Sequence, residues 1–163
     1  MSERIEKLIR DYPKNKMELE CLKHQICNFR GVTETDVIDS MFFSQPEGER
    51  VQTSGTSDKT AGIAINYRQR MERINNEWYE HLEKQYMELS EEIRFFESAV
   101  SSVQGVPGKV MADLVLREMT WEKVAEKYYI SRRTVGNYRA KAMVELENLY
   151  ESRDAELVAY MLS

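Results

Sequence analysis

The chain has 163 residues, of which 42% are hydrophobic and 31% charged, with only seven glycines and three prolines. This balance favours a folded, helix-rich protein and excludes a disordered or collagen-like chain. A chain of this length forms one ordinary domain or two small helical units, which excludes a large multidomain enzyme. The formal net charge of −5 argues against a protein that binds polyanions over its whole surface.

The sequence predicts a cytoplasmic protein without a membrane partner. No apolar run approaches the roughly 20 residues that a membrane-spanning helix needs, and the first residues lack the basic and then apolar order of a signal peptide. Cys21, His24 and Cys27 form a C-x2-H-x2-C pattern, but on a helix the two cysteines point about 120 degrees apart and no fourth ligand lies nearby. We therefore expect reduced thiols, no metal site and no cofactor.

Residues 1–29 are predicted to form an N-terminal helical arm, because apolar residues recur there at spacings of three and four. These residues are Ile5, Leu8, Ile9, Tyr12, Leu19, Leu22, Ile26 and Phe29. Pro13 predicts a break between a short helix that ends near Asp11 and a second helix that starts at Pro13. Residues 30–57 are rich in turn formers, which predicts a linker with one short helix around residues 37–43.

Residues 58–104 predict one long helix, because this stretch has no proline and its only glycine, Gly62, lies near the start. Ser57 or Asp58 is the predicted N-cap. The apolar positions follow the heptad-like spacing of a coiled coil: Ala64, Tyr67, Met71, Ile74, Trp78, Leu82, Tyr86, Leu89, Ile93, Phe96, Val100 and Val103. Such a seam is buried against the N-terminal helices, against a second copy of the chain in a homodimer, or against both.

Residues 106–150 predict a helix-turn-helix domain, and residues 151–163 a C-terminal helical tail. Thr120 is placed to cap a short helix, a turn of three or four residues follows, and Ser131 is placed to cap a second helix. The residues predicted to pack between these two helices are Val124, Ala125, Tyr128 and Ile130. The predicted fold is therefore all-α, with a helical arm, a long central helix and a C-terminal helix-turn-helix unit.

The second helix of this unit carries a basic face. The stretch 127–144 contains five basic residues and no acidic residue. Because arginine can donate two hydrogen bonds to guanine and asparagine can pair with adenine, the candidates for reading bases are Arg132, Arg133 and Asn137. Contacts with phosphate give affinity with little sequence choice. The candidates for contacts with the DNA backbone are Thr120, Lys127, Thr134, Arg139 and Lys141.

The stretch 120–142 contains Val-Ala and Ile-Ser-x-x-Thr-Val motifs, which are followed by an alanine and a leucine four residues apart. In these residues the chain resembles region four of bacterial sigma factors. The wider layout resembles phage and prophage late-gene transcription regulators of the ArpU and RinA type. These proteins join a short helical part to the same kind of C-terminal helix-turn-helix. The turn position that is often glycine is Tyr129 here, and because a bulky residue with positive φ is strained, we expect a negative φ.

The resemblance implies a sequence-specific transcription regulator that binds double-stranded DNA, with RNA polymerase as a further partner. Two alternatives remain: a DNA-packaging protein similar to a phage small terminase subunit, and an adaptor that binds RNA polymerase without binding DNA. The sequence shows no Gly-rich phosphate loop, no nucleophile with a nearby base and no spaced carboxylate pair. We therefore expect no enzymatic activity and no catalytic residues.

Overall fold

The structure, a computed structural model, describes residues 3–31, residue 33 and residues 58–163. In these residues it contains five helices and no strand, which confirms the predicted all-α fold. The helices are α1 (Glu3–Cys27), α2 (Asp58–Ser102), α3 (Gly105–Val115), α4 (Trp121–Tyr128) and α5 (Arg132–Leu162). The predicted helix at residues 37–43 and the predicted cap at Ser57 lie outside the described residues.

The described residues belong to two compact units. The first comprises the stretches Met1–Leu19 and Glu88–Ser163, and the second is Glu20–Met87. The N-terminal part of α1 therefore belongs to the same unit as the helix-turn-helix. The predicted tail at residues 151–163 is not a separate element, because α5 continues through it to Leu162.

Helix α1 is continuous over 25 residues with Pro13 inside it, so the predicted break at Pro13 is wrong. A proline in a helix interior removes one hydrogen bond and costs about 3 kcal/mol. Tyr12 and Leu19 pack into the same core on either side of it, while Pro13 itself lies on the exposed face. Burial of apolar side chains on both sides of the proline offsets this cost, because packing stabilises helices in proteins more than local propensity does.

The core of the first unit joins α1, α2, α3 and α5. The buried residues that form it are Ile5, Tyr12, Ile93, Phe96, Ala99, Val100, Val103, Met111, Val115, Ala142, Met143, Leu146 and Tyr150. The hydroxyl of Tyr12 donates to the carboxylate of Glu97 at 2.6 Å, and its ring lies 5.2 Å from that of Phe96. The C-terminal end of the seam on α2 is therefore covered by other helices of the same chain.

In the second unit, the end of α1 and the middle of α2 each contribute one buried leucine, Leu22 and Leu82. The rings of Phe29 and Tyr79 meet edge to face at 5.1 Å. Trp78, a predicted seam residue, is 50% exposed. This part of the seam is therefore less completely buried than the part in the first unit.

Two glycines shape the start of α3. Gly105 has a φ of 72°, a conformation that favours glycine. At Gly108, a Cβ atom would overlap the backbone carbonyl of Val103. Only glycine allows this close approach between the first turn of α3 and the end of α2.

The turn between α4 and α5 differs from the prediction. Tyr129 has φ 54° and ψ 42°, in the left-handed region, so the expected negative φ is wrong. The amide of Ile130 donates a hydrogen bond to the carbonyl of Ala125 at 3.0 Å. The amide of Tyr129 donates one to the carbonyl of Glu126 at 3.3 Å. These two bonds form a Schellman motif, which requires a left-handed residue at this position. The Tyr129 side chain is 96% exposed, so solvent accommodates the ring.

Replacing Tyr129 with glycine is expected to stabilise the protein by about 0.5 to 1 kcal/mol. A left-handed conformation costs a residue with a Cβ atom about 1 to 2 kcal/mol, and the greater entropy of glycine in the unfolded chain offsets part of this gain. Urea unfolding of the full chain measures the effect. Tyr129→Ala is the matched control, since it removes the same exposed ring but keeps the Cβ atom. Equal stability of the two variants would contradict the strain argument.

Candidate nucleic-acid interface

Helices α4 and α5 form a helix-turn-helix in which residues 129–131 separate the two helices. The Thr120 hydroxyl oxygen accepts a hydrogen bond from the Lys123 amide at 3.3 Å. The Ser131 hydroxyl oxygen accepts one from the Thr134 amide at 3.1 Å. Each hydroxyl satisfies an amide of the first turn that has no partner within its helix. Both predicted N-caps are therefore confirmed.

A small core holds this pair of helices against α3. One fully buried valine comes from each helix: Val110 from α3, Val124 from α4 and Val135 from α5. The partly buried residues packed around them are Leu114, Met119, Trp121, Ala125, Tyr128, Ile130 and Tyr138. The four residues predicted to pack between the helices all belong to this core. It fixes the N-terminal half of α5 relative to α4.

One face of α5 is open to solvent and chemically suited to DNA. Arg133, Asn137, Ala140 and Lys141 are all exposed, and their spacing places them on one side of the helix. Val135, on the opposite side, is fully buried. The exposed face offers cationic and amide donors, and its small alanine lets a ligand approach the backbone. These are the groups that read base edges in a major groove.

Arg132 lies at the edge of this face, next to α4. Its Nη1 atom is 3.2 Å from Oε1 of Glu122, with side chains 72% and 67% exposed. Its guanidinium carbon is 5.8 Å from the centre of the Trp121 ring. The same ring lies beside Gly136, where an added Cβ atom would be 3.4 Å from Cζ3 of Trp121.

Lys127 takes part in an ionic cluster around one buried carboxylate. The carboxylate of Asp113 is fully buried and accepts hydrogen bonds from Lys127 Nζ at 2.7 Å, from the Tyr128 hydroxyl at 2.6 Å and from Arg117. Burial raises the pKa of Asp113, but these hydrogen bonds outweigh it, so the pKa lies below its usual value. The bond with Asp113 also raises the pKa of Lys127. The ammonium group predicted to contact phosphate is thus already paired within the fold.

Arg139 is directed towards α1 and away from the exposed face. Two of its nitrogens bond the two carboxylate oxygens of Glu6, each at 2.8 Å, and its side chain is only 19% exposed. These bonds lower the pKa of Glu6 and raise that of Arg139. Arg139 therefore stabilises the contact between α1 and α5 and does not lie beside Arg133 and Lys141.

The remaining predicted backbone contacts are Thr120 at the start of α4, Thr134 close to the turn and Lys141 along the exposed face. The hydroxyl of Thr134 is 2.9 Å from that of Ser131, next to the cap of α5. Lys141 is exposed, with its ammonium nitrogen 5.9 Å from the centre of the Tyr138 ring. The structure thus groups Arg133, Asn137 and Lys141, and places Arg132 beside them.

The sequence analysis did not identify three acidic residues that pair with cations predicted to contact DNA. Asp113 and Glu6 bind Lys127 and Arg139, and Glu122 binds Arg132. Only Asp113 carried a signal, since it is the one charged residue in the apolar stretch 110–116. The partners of Arg139 and Lys127 are distant in sequence or on another helix, so spacing alone does not indicate them.

The chain matches no family model, no curated protein and no solved structure. Within the described residues, no helix combines the length and apolar character needed to cross a membrane. The same part of the chain contains no group of three His, Cys, Asp or Glu residues that could hold a metal ion. Cys21 and Cys27 are both exposed and unpaired with each other.

Proposed function

We propose that the protein is a sequence-specific DNA-binding transcription regulator of the phage or prophage late-gene type. Helix α5 docks its N-terminal half in the major groove, where Arg133, Asn137 and Arg132 read base edges. Helix α4 lies across the DNA backbone, as the first helix of such motifs does. RNA polymerase is the further partner through which a regulator of this type acts.

The observation that carries the proposal is the exposed face of α5. A rigid core of three valines holds this face at the start of the helix, which is the part that contacts bases in helix-turn-helix proteins. Arg133 and Asn137 are one helical turn apart on it. Both side chains offer paired hydrogen-bonding groups that match the edges of guanine and adenine.

Two of the residues predicted to contact phosphates are paired with carboxylates within the fold. Arg139 and Lys127 are paired with carboxylates, so the proposed cationic contact is Lys141, with the hydroxyls of Thr120 at the start of α4 and of Thr134 close to the turn. Arg132 and Arg133 add charge at the groove. If Arg133 and Lys141 each displace one counterion, log K falls against log salt with a slope of about −1.8 per protomer, and the slope is about −2.7 if Arg132 leaves Glu122 and also meets a phosphate.

Selection from random duplex DNA on the purified full chain tests the proposal. We expect one enriched sequence motif, and we expect it to be lost when Arg132 and Arg133 are both alanine. An inverted repeat in that motif indicates that the chain binds as a dimer. Binding without any enriched motif would support a packaging protein, and no binding at all would support an adaptor for RNA polymerase.

The effects of Arg133→Ala and Lys141→Ala are expected to differ in kind. Arg133→Ala loses about 1 to 3 kcal/mol of binding free energy on the selected sequence and relaxes the preference at one base pair. Lys141→Ala weakens binding to all sequences alike and makes the salt slope shallower by about 0.9. Titrations of each variant with selected and random DNA at several salt concentrations measure both effects. Equal losses on the two DNAs for both variants would contradict the assigned roles.

A further inference from the structure

The last two turns of α5 are apolar and exposed to solvent. Seven of the nine residues at 155–163 are apolar, and all nine are exposed. Exposed apolar patches of this kind mark surfaces that bind another molecule. We call residues 155–162 the apolar end of α5. Its large side chains, each between 54% and 83% exposed, are Leu157, Val158, Tyr160, Met161 and Leu162.

The apolar end continues the buried stripe of α5. Leu146 and Tyr150 belong to the core of the first unit. Leu157 and Met161 follow seven and eleven residues after Tyr150, and this helical spacing places them on the same side of α5. The side of the helix that is buried in the core is therefore apolar over its whole length, including the part that is exposed.

The cover over this stripe ends at residue 154. Nη1 of Arg4, on α1, lies 2.6 Å from Oδ2 of Asp154, and Nη1 of Arg153 lies 3.2 Å from Oε1 of Glu92, on α2. Every residue from 155 onwards is exposed. The surface along which α1 and α2 pack on α5 is thus open for two further turns, where another helix can lie.

The charge of the apolar end restricts what can bind there. Glu156 is its only charged residue, so no basic side chain attracts DNA or the anionic headgroups of a membrane. Glu156 is about 100° around the helix from Leu157, which leaves the side with Leu157 and Met161 without charge. Two identical copies of this side can therefore meet without repulsion between like charges.

The exposed area of the apolar end is that of a reversible dimer interface. At roughly 200 Å² for a fully exposed large side chain, the exposed fractions of the five residues correspond to about 700 Å² on each copy. A standard stable interface buries about 800 Å² on each partner. Two paired helices bury only the sides that they turn to each other, so we expect a weak dimer with a dissociation constant in the micromolar range.

We propose that the apolar end of α5 is a dimer interface at which two copies of the chain pair about a two-fold axis. The two helices run antiparallel, because this keeps apart the α1 and α2 helices that cover the same side of α5 in each copy. Leu157 of each copy then packs against Met161 of the other. The interface goes beyond the proposed function, since it identifies a partner other than DNA, and it is distinct from the seam of α2.

Sedimentation equilibrium of the full chain without DNA tests the proposal. We expect a monomer–dimer equilibrium. Met161→Glu places a carboxylate from each copy in the apolar interface and should raise the dissociation constant by about tenfold or more. Met17→Glu is the matched control, because Met17 is also 76% exposed on a helix but lies on α1. Glutamate forms helix about as well as methionine does, and the control should leave the dissociation constant unchanged.

A mixture of two variants tests the antiparallel packing. Leu157→Lys and Met161→Glu should each weaken self-association, because each places a charge against an apolar side chain. In an equal mixture, the ammonium group introduced in one copy meets the carboxylate introduced in the other. The mixture should therefore associate more tightly than either variant alone. Association in the mixture that is no tighter than that of the separate variants would contradict this packing.

Two results would overturn the dimer interface. A full chain that stays monomeric at about 100 μM would mean that the apolar end binds a different molecule. A dimer that Met161→Glu does not weaken would mean that another surface, such as the seam of α2, joins the copies. Because the measurement contains no DNA, both results leave the proposed function untouched. Weaker association for Met161→Glu alone of the two methionine variants supports the interface.

Discussion

Ile5→Ala is expected to lower the free energy of unfolding of the first unit by about 3 kcal/mol, within the range for truncating a buried isoleucine. The side chain is fully buried in the core that also contains Val100, Met111 and Leu146. Removing three of its carbon atoms leaves a cavity among side chains from four helices. The loss should therefore lower the stability of the helix-turn-helix together with that of α1.

The fluorescence of Trp121 during urea unfolding measures the stability of the helix-turn-helix, because Trp121 is the first residue of α4. Trp78 is half exposed and belongs to the second unit, so Trp78→Phe in every sample leaves Trp121 as the only reporter. Met17→Ala is the control, because Met17 lies on the same helix but is 76% exposed. We expect little change for Met17→Ala. A similar small change for Ile5→Ala would show that α1 does not support the helix-turn-helix.

This dependence connects the start of the chain with the proposed DNA-binding helix. Glu6 follows Ile5 directly and holds Arg139 of α5 through two hydrogen bonds of 2.8 Å. On the other side of Ile5, Arg4 bonds Asp154 at 2.6 Å. These polar contacts flank a fully buried isoleucine, so α1 braces α5 along its buried side. The exposed side of α5 remains available to a ligand.

Local sequence signals were sufficient to predict the helix-turn-helix. The caps at Thr120 and Ser131 depend on side chains that bond amides only three residues away. The inward positions on α4 follow from helical spacing alone, because each helix has one buried stripe. The same reasoning predicted the length of α2, since a stretch without proline and with regular apolar spacing has few alternatives.

Two local rules failed where tertiary structure outweighs them. Pro13 disfavours a helix, but Tyr12 and Leu19 pack into one core across it. Tyr129 disfavours positive φ, but the two hydrogen bonds that end α4 require it. In each case the local cost is a few kcal/mol at most, and packing or backbone pairing offsets it.

Residue type alone did not predict which basic side chains of the helix-turn-helix are already paired with carboxylates. Lys127, Arg139 and Lys141 look alike in the sequence, yet only Lys141 lies free of the carboxylates that bind the other two. Arg139 pairs with a residue 133 positions away. Such pairs depend on how helices are arranged, which charge counts do not reveal.

Asp113→Asn is expected to destabilise the first unit by about 2 to 3 kcal/mol at pH 7, the range for weakening the hydrogen bonds of a buried charged group. The buried carboxylate accepts hydrogen bonds from Lys127, Tyr128 and Arg117, and it connects α3 with α4. An asparagine of the same shape offers one acceptor oxygen and presents an amide group to at least one donor. Lys127 and Arg117 then turn to solvent, and the half-buried hydroxyl of Tyr128 loses a charged acceptor, which weakens the connection between α3 and α4.

The pH dependence of this difference provides a second test. Burial raises the pKa of Asp113, but its three hydrogen bonds lower it further, so the folded-state pKa lies below the usual value of 3.8. A carboxyl group with a lowered folded-state pKa contributes stability that is complete above its unfolded pKa and is lost as the pH falls through the folded-state pKa. The difference between the wild type and Asp113→Asn should therefore be constant from pH 7 to about pH 5 and shrink below about pH 4.

Urea unfolding at a series of pH values measures both curves. Asp154→Asn serves as the control, because Asp154 also has a lowered pKa, caused chiefly by its hydrogen bond with Arg4, but lies at the surface. Its effect at pH 7 should be much smaller, since solvent screens an exposed pair. A difference for Asp113→Asn that stays constant down to pH 2 would mean that the lost charge is not the cause. The destabilisation would then come from altered packing between α3 and α4.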